Sequence, residues 1–216
     1  MPGLDQAVAG GRIHATASAL VARSEAERWL RPAISYEIWP IAAANSDCLE
    51  LADGIRLRSV QAAHRLRGAV WLAAGVCTLG GRLEQQVRAS FAAGEHLHAV
   101  LLDDIGTRAL FRLADDLEAR LRREARHLGF EASGVLNPGE PGFRLREQRT
   151  VVGLAGGARI GVSVTPSGMM SPGKSLTLIM GLGDAMPVWG RGESCARCRA
   201  QPRCSLRRAA ADACVT

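Results

Sequence analysis

Lysine is almost absent from this 216-residue chain. Position 174 carries the only one, and the other 26 basic residues are arginines. A GC-rich genome accounts for most of such a bias. Long apolar runs are also missing. The longest candidate, 69–79, is too short to span a bilayer. The N-terminus lacks the basic, then apolar, then small-residue order of a secretory signal. A cytoplasmic protein with no membrane partner is expected, and its six cysteines then read as thiols or metal ligands rather than disulfides. The chain has no internal repeat, no G-x-S-x-G elbow and no Ser/His/Asp order. The body also lacks a large charge excess. The formal net charge is +6, but residues 187–216 alone hold six arginines against Glu193 and Asp212. The remaining chain is nearly neutral, so a nucleic-acid partner is not expected.

Apolar residues, including cysteine and aromatics, make up 47% and charged residues 22%, enough for a real core. Residues 1–15 are Gly/Ala-rich and read as loose. A helix is expected over 16–30, capped by Thr16 and ended by Arg31-Pro32. Strand-like runs follow at 35–41, 54–60 and 69–78, the last continuous and apolar as in a doubly covered strand. A helix reads over 83–93. A second reads over 108–128, with Leu110, Leu113, Leu117, Leu121 and Leu128 as its buried stripe. Asp103 and Asp104 read as its N-terminal acids. Residues 134–143 form an irregular Gly/Pro loop, 145–154 a short helix, and 158–165 and 175–181 two strands. Composition shifts near 186. The expected organisation is a loose 1–15, an α+β domain over 16–186, and a basic cysteine-rich tail over 187–216.

Three segments carry possible chemistry. Cys195, Cys198 and Cys204 form C-x2-C-x5-C, with Cys214 ten positions on. Thiolates at this spacing suit an iron–sulfur cluster, with zinc as the alternative. Neighbouring arginines lower thiol pKa values and offset the charge of a thiolate site. The alternative is a basic tail with unpaired thiols. The second segment is the hydroxyl- and glycine-rich loop 165–175, whose backbone N–H groups could wrap a polar ligand. It matches the phosphate-loop pattern formally at Gly168, Gly173, Lys174 and Ser175. However, Pro172 removes a donor, and 176–180 reads as a strand where that motif opens a helix. The third is 137–143, which on composition is a structural turn. His96 and His98 read as surface residues. Cys48 and Cys77 read as small core residues.

The order of four stretches resembles the activation (reactivation) domain of cobalamin-dependent methionine synthase, in a stand-alone form. Residues 76–84 resemble the family's "TxGxxLE" run, and 101–106 its "LLDxIG". Asn137-Pro138-Gly139, with Phe143, Leu145 and Gln148, resembles "SPGYxxWxxxxQ". Residues 160–175 resemble "IGVxLTxSxMMxPxKS", the most specific of the four. Val135 and Glu140 stand where the family has an arginine and a tyrosine. The resemblance implies a single α+β domain around a twisted antiparallel sheet with flanking helices. It implies a partner corrinoid protein or cobalamin-dependent methyltransferase whose cobalamin has slipped to cob(II)alamin. One electron from a redox partner or the tail reduces the cobalt, and S-adenosylmethionine traps the product by methylating it. The implied ligand-facing residues are Pro138, Gly139, Glu140, Thr165, Ser167, Met169, Met170, Pro172, Gly173, Lys174 and Ser175. A corrinoid-protein-binding module without catalysis, its tail tied by zinc, is the alternative.

Overall fold

The computed structural model describes residues 25–190, together with 193, 195, 196 and 201–203. Thr16, residues 1–15, and Cys198, Cys204 and Cys214 lie outside the described residues. Six strands form one antiparallel sheet in the order β3-β2-β1-β4-β8-β5. They are β1 (Ala33–Ala44), β2 (Cys48–Leu51), β3 (Arg56–Arg58), β4 (Trp71–Thr78), β5 (Glu131–Ala132) and β8 (Ser175–Gly183). A second pair, β6 (Ser163–Val164) and β7 (Met170–Ser171), forms a small hairpin. The helices are α1 (25–29), α2 (Val60–Arg65), α3 (Arg82–Ala92), α4 (His96–His127) and α5 (Gln148–Leu154). This is an α+β fold, a single domain around a twisted antiparallel sheet with flanking helices.

The central pair explains the layering. β4 pairs with β1 through Ala33–Pro40 on one side and with β8 through Ser175–Leu182 on the other. Side chains alternate across a strand. Leu72, Ala74 and Val76 therefore enter one core, with Val151, Val152 and Leu154 of α5 and Ala62 and Leu66 near α2. Ala73 and Cys77 enter the other, with Leu110, Ala114, Leu117, Leu121 and Ala125 of α4. Both faces are covered, which is why the run reads as continuously apolar. Gly75 lies under Leu117, and a Cβ there would meet its methyl carbons at 3.0–3.1 Å. A third cluster joins Ala26 of α1 to Leu83 and Val87 of α3 and Ala99 and Leu102 of α4.

The structure differs from the expected elements at several places, among them α2 and β5, which were not expected, and the strand expected over 54–60, of which only Arg56–Arg58 forms. The helix expected over 108–128 is the second half of α4, a continuous 32-residue helix. Asp103 and Asp104 are inside it, not at its start. Asp104 Oδ2 accepts from Arg108 Nε at 2.8 Å, an i,i+4 pair within the helix. Leu128 is 52% exposed, because the helix ends one residue earlier. Residues 157–160 coil into a 3-10 turn between Gly156 and Gly161, both left-handed, so only 163–164 of the expected strand pairs. β2 is present where no strand was expected. Among the described residues no helix is long and apolar enough to cross a membrane.

Candidate functional site

The two Gly/Pro-rich loops meet. Loop 137–143 leaves the core after Leu136, which bridges to Ile179 of β8. It closes on itself. Gly139 N donates to Phe143 O at 2.8 Å, and Phe143 N donates to Glu140 O at 2.9 Å. The Glu140 carboxylate is turned inward. Its Oε1 accepts from Asn137 Nδ2 at 2.7 Å and from Asn137 N at 3.1 Å, and its Oε2 accepts from Gln61 Nε2 at 3.1 Å. Phe143 is fully buried, which anchors the loop's far end.

Loop 165–171 is a hairpin tip held by Thr165. The Thr165 hydroxyl accepts from Met169 N at 3.1 Å and lies 2.9 Å from Ser167 Oγ. Gly168 adopts a left-handed φ of 87°, which favours glycine. Leu145 connects the tips. A Cβ at Gly139 would lie 3.8 Å from Leu145 Cδ1, and one at Gly168 would lie 3.7 Å from Leu145 Cγ. Leu145 is 42% exposed and Met169 is 60% exposed. Arg149 Nη2 spans from α5 to Thr165 O at 3.3 Å; Arg144 and Arg146, earlier in the same segment, are exposed, and Arg146 Nε lies 3.5 Å from Glu147 Oε1. Beneath the tips, buried Gln148 donates to Thr177 Oγ1 at 2.6 Å and to Met170 Sδ at 3.2 Å. Leu145 therefore lies between the two loop tips, one carrying Pro138 and Gly139 and the other, the rim, carrying Thr165, Ser167 and Met169. Met170 lies below it, packed on the core.

The second half of the loop goes elsewhere. Lys174 Nζ meets Asp103 Oδ1 at 2.8 Å and donates to Thr107 Oγ1 at 2.7 Å and Asp103 O at 3.2 Å. Lys174 N donates to Glu84 Oε1 of α3, and a Cβ at Gly173 would lie 3.0 Å from the same oxygen. Ser175 Oγ donates within reach of Pro172 O at 2.7 Å and Thr78 Oγ1 at 2.8 Å. Three separated sequence stretches, around 84, 103–107 and 172–175, thus converge as a fastening between α3, α4 and β8. The backbone donor of Lys174 is engaged and a strand follows, so no phosphate cradle forms here.

The fold is similar to a known one. The MetH reactivation domain bound to AdoHcy aligns with a TM-score of 0.64 and 16% identity, over 85% of this chain and 68% of that chain. At that identity the likeness concerns fold. No family model and no curated protein matches the chain.

The cysteines divide by environment. Cys77 is fully buried, and burial pushes its thiol from 9.0 up to about 12. Burial also raises the Cys48 thiol. Both are core residues, as expected. Cys195 is a half-buried free thiol, while Cys198, Cys204 and Cys214 lie outside the described residues. Among the described residues no three His, Cys, Asp or Glu side chains gather as a metal site. His98 is less of a surface residue than expected. Its Nε2 lies 2.8 Å from Glu25 Oε2 and its Nδ1 3.1 Å from Ser90 Oγ, tying α1 to the α3–α4 corner. Gln61, which holds Glu140, was missed in the sequence, since its residue type and position suggest no ligand chemistry. Leu145, which joins the loop tips, was marked only through the resemblance and not as a site residue.

Proposed function

We infer that the protein returns a corrinoid protein to its active state, acting on cob(II)alamin presented by a separate corrinoid protein or methyltransferase. The observation that carries this reading is the meeting of loops 137–143 and 165–171 across Leu145, on a fold like that of the MetH reactivation domain bound to AdoHcy. S-adenosylmethionine is the proposed methyl donor. The rim suits such a ligand in three ways. Leu145 and Met169 offer apolar contact to a purine face, Thr165 and Ser167 offer hydroxyls, and Arg144, Arg146 and Arg149 offer cations for a carboxylate. The Glu140 carboxylate is held by Asn137 of its own loop and by Gln61 of α2. Cys195, Cys198, Cys204 and Cys214 are the proposed ligands of an iron–sulfur cluster, which supplies one-electron chemistry when bound. The second reading is a corrinoid-protein-binding module with a zinc-tied tail. It draws support from Pro172, Gly173, Lys174 and Ser175 being engaged in the scaffold.

Anaerobic purification, metal analysis and calorimetric titration test these readings together. S-adenosylhomocysteine binding that is lost in Met169→Glu, with cob(II)alamin converted when a reductant is added, supports reactivation. Stoichiometric zinc with no effect on cob(II)alamin favours the binding module. Absence of both ligand binding and cob(II)alamin turnover overturns the first reading.

A further inference from the structure

After β8 the chain turns back across the stem of loop 137–143. Trp189 is 7% exposed, and its seat has three matched parts. Gly134 lies under the ring, where any Cβ would overlap the indole. The indole Nε1–H donates to Val135 O at 3.0 Å. The Arg65 guanidinium covers the ring at 4.3 Å from its centroid. The backbone joins in, with Gly134 N donating to Pro187 O at 3.1 Å. Arg65 Nη2 then reaches Glu193 Oε1 at 2.7 Å.

These contacts bear on the loop from two directions. Gly134 and Val135 are the stem from which 137–143 departs. Arg65 sits on α2 one turn beyond Gln61, which holds Glu140 through Nε2 and whose N donates to Gly142 O at 3.4 Å. Ser59, the α2 cap, donates to Gly142 O at 3.1 Å. Gln61 Oε1 is buried and has no hydrogen-bond partner among the described residues, so this junction holds a spare acceptor. Cys195 follows Glu193 by two residues within helical backbone, about 3 Å of rise.

We propose that residues 187–190, together with Glu193, are a strap that sets the conformation of loop 137–143 through Trp189 and Arg65, so that the position of Cys195 is coupled to that loop. The inference takes 137–143 as the ligand loop from the preceding reading, but neither measurement below uses a corrinoid or S-adenosylmethionine. Failure of one reading therefore leaves the other standing.

Hydrogen exchange on the full chain tests the first half. Trp189→Leu and Arg65→Met should speed exchange of the Gly139, Glu140 and Phe143 amides about tenfold while the β4–β8 amides keep their protection. Unchanged loop exchange in a folded variant overturns the strap. If Trp189→Leu does not fold, Glu193→Gln, which weakens the Arg65–Glu193 pair, should still speed the same amides and leave β4–β8 alone. Unchanged loop exchange in that variant counts against the strap equally. A nitroxide on Cys195, with Cys198, Cys204 and Cys214 changed to serine, tests the second half. Amide signals of 137–143 and α2 should broaden and those of the α3–α4 corner should not. Broadening at that corner with none at 137–143 overturns the proposal.

Discussion

Lys174 keeps only 15% of its side chain exposed, yet it does not point at the rim. Its ammonium fastens the last strand to α4 through Asp103 and Thr107. Lysine suits this position because a compact ammonium can serve a carboxylate and a hydroxyl at once. Lys174→Met should lower stability by about 1–3 kcal/mol, measured as a shift in urea midpoint, with Lys174→Arg restoring only part. Full stability of Lys174→Met would show that the fastening is idle. Cys77 makes a second prediction. Its thiol holds its proton to about 12, whereas an unfolded thiol releases it from about 9. The unfolded chain therefore loses protons first, and stability falls as pH rises through that window. In native protein a thiol reagent should spare Cys77 until denaturant is added. Rapid labelling of Cys77 at neutral pH would contradict its burial.

At the scale of elements, glycines separate two kinds of helix position. Gly106 in α4 faces Leu83, and an added Cβ would overlap its methyl group. Gly106→Ala should destabilise by about 1–3 kcal/mol. Gly153 in α5 has nothing within 4 Å of an added Cβ. Gly153→Ala should stabilise by about 0.5–1 kcal/mol through helix propensity. Thermal denaturation of the pair checks the opposite signs, and equal shifts would refute the packing argument. The same region shows what sequence periodicity conveys. The stripe Leu110, Leu117 and Leu121 was legible because those residues face β4 and β8. The upstream half of α4 was not, because Asp103-Asp104 and Gly106 imitate a helix start. The partner of Asp103 is Lys174, about 70 positions away, and Gly106 packs on Leu83 of another helix. β2 was missed for a related reason. Four residues, Cys48–Leu51, are too few for a pattern, and pairing with β1 and β3 specifies them.

For the molecule as a whole, the doubly covered strand was the most legible element, since burial on both faces leaves a continuous apolar run. The candidate site was half legible. The Gly/Pro content of 137–143 and 165–175 marked both as loops, and the resemblance grouped them. Which part of each faces the other depends on Leu145 and on the α3–α4 fastening, and those contacts are set by tertiary packing.

The strand order also has a consequence for the chain as it is made. β8 comes last of the six strands in sequence but lies between β4 and β5, and β5 pairs with no other strand. A ribosome delivers residues from the N-terminus, so the sheet's centre stays open until nearly the last strand has emerged. Until then β4 exposes an unpaired, apolar edge, a template for pairing with other chains. A version ending at residue 170 should accumulate as aggregate, and supplying 171–190 as a separate peptide during refolding should recover soluble protein. Soluble, cooperatively folded protein without that peptide would show that β4 has another way to protect its edge.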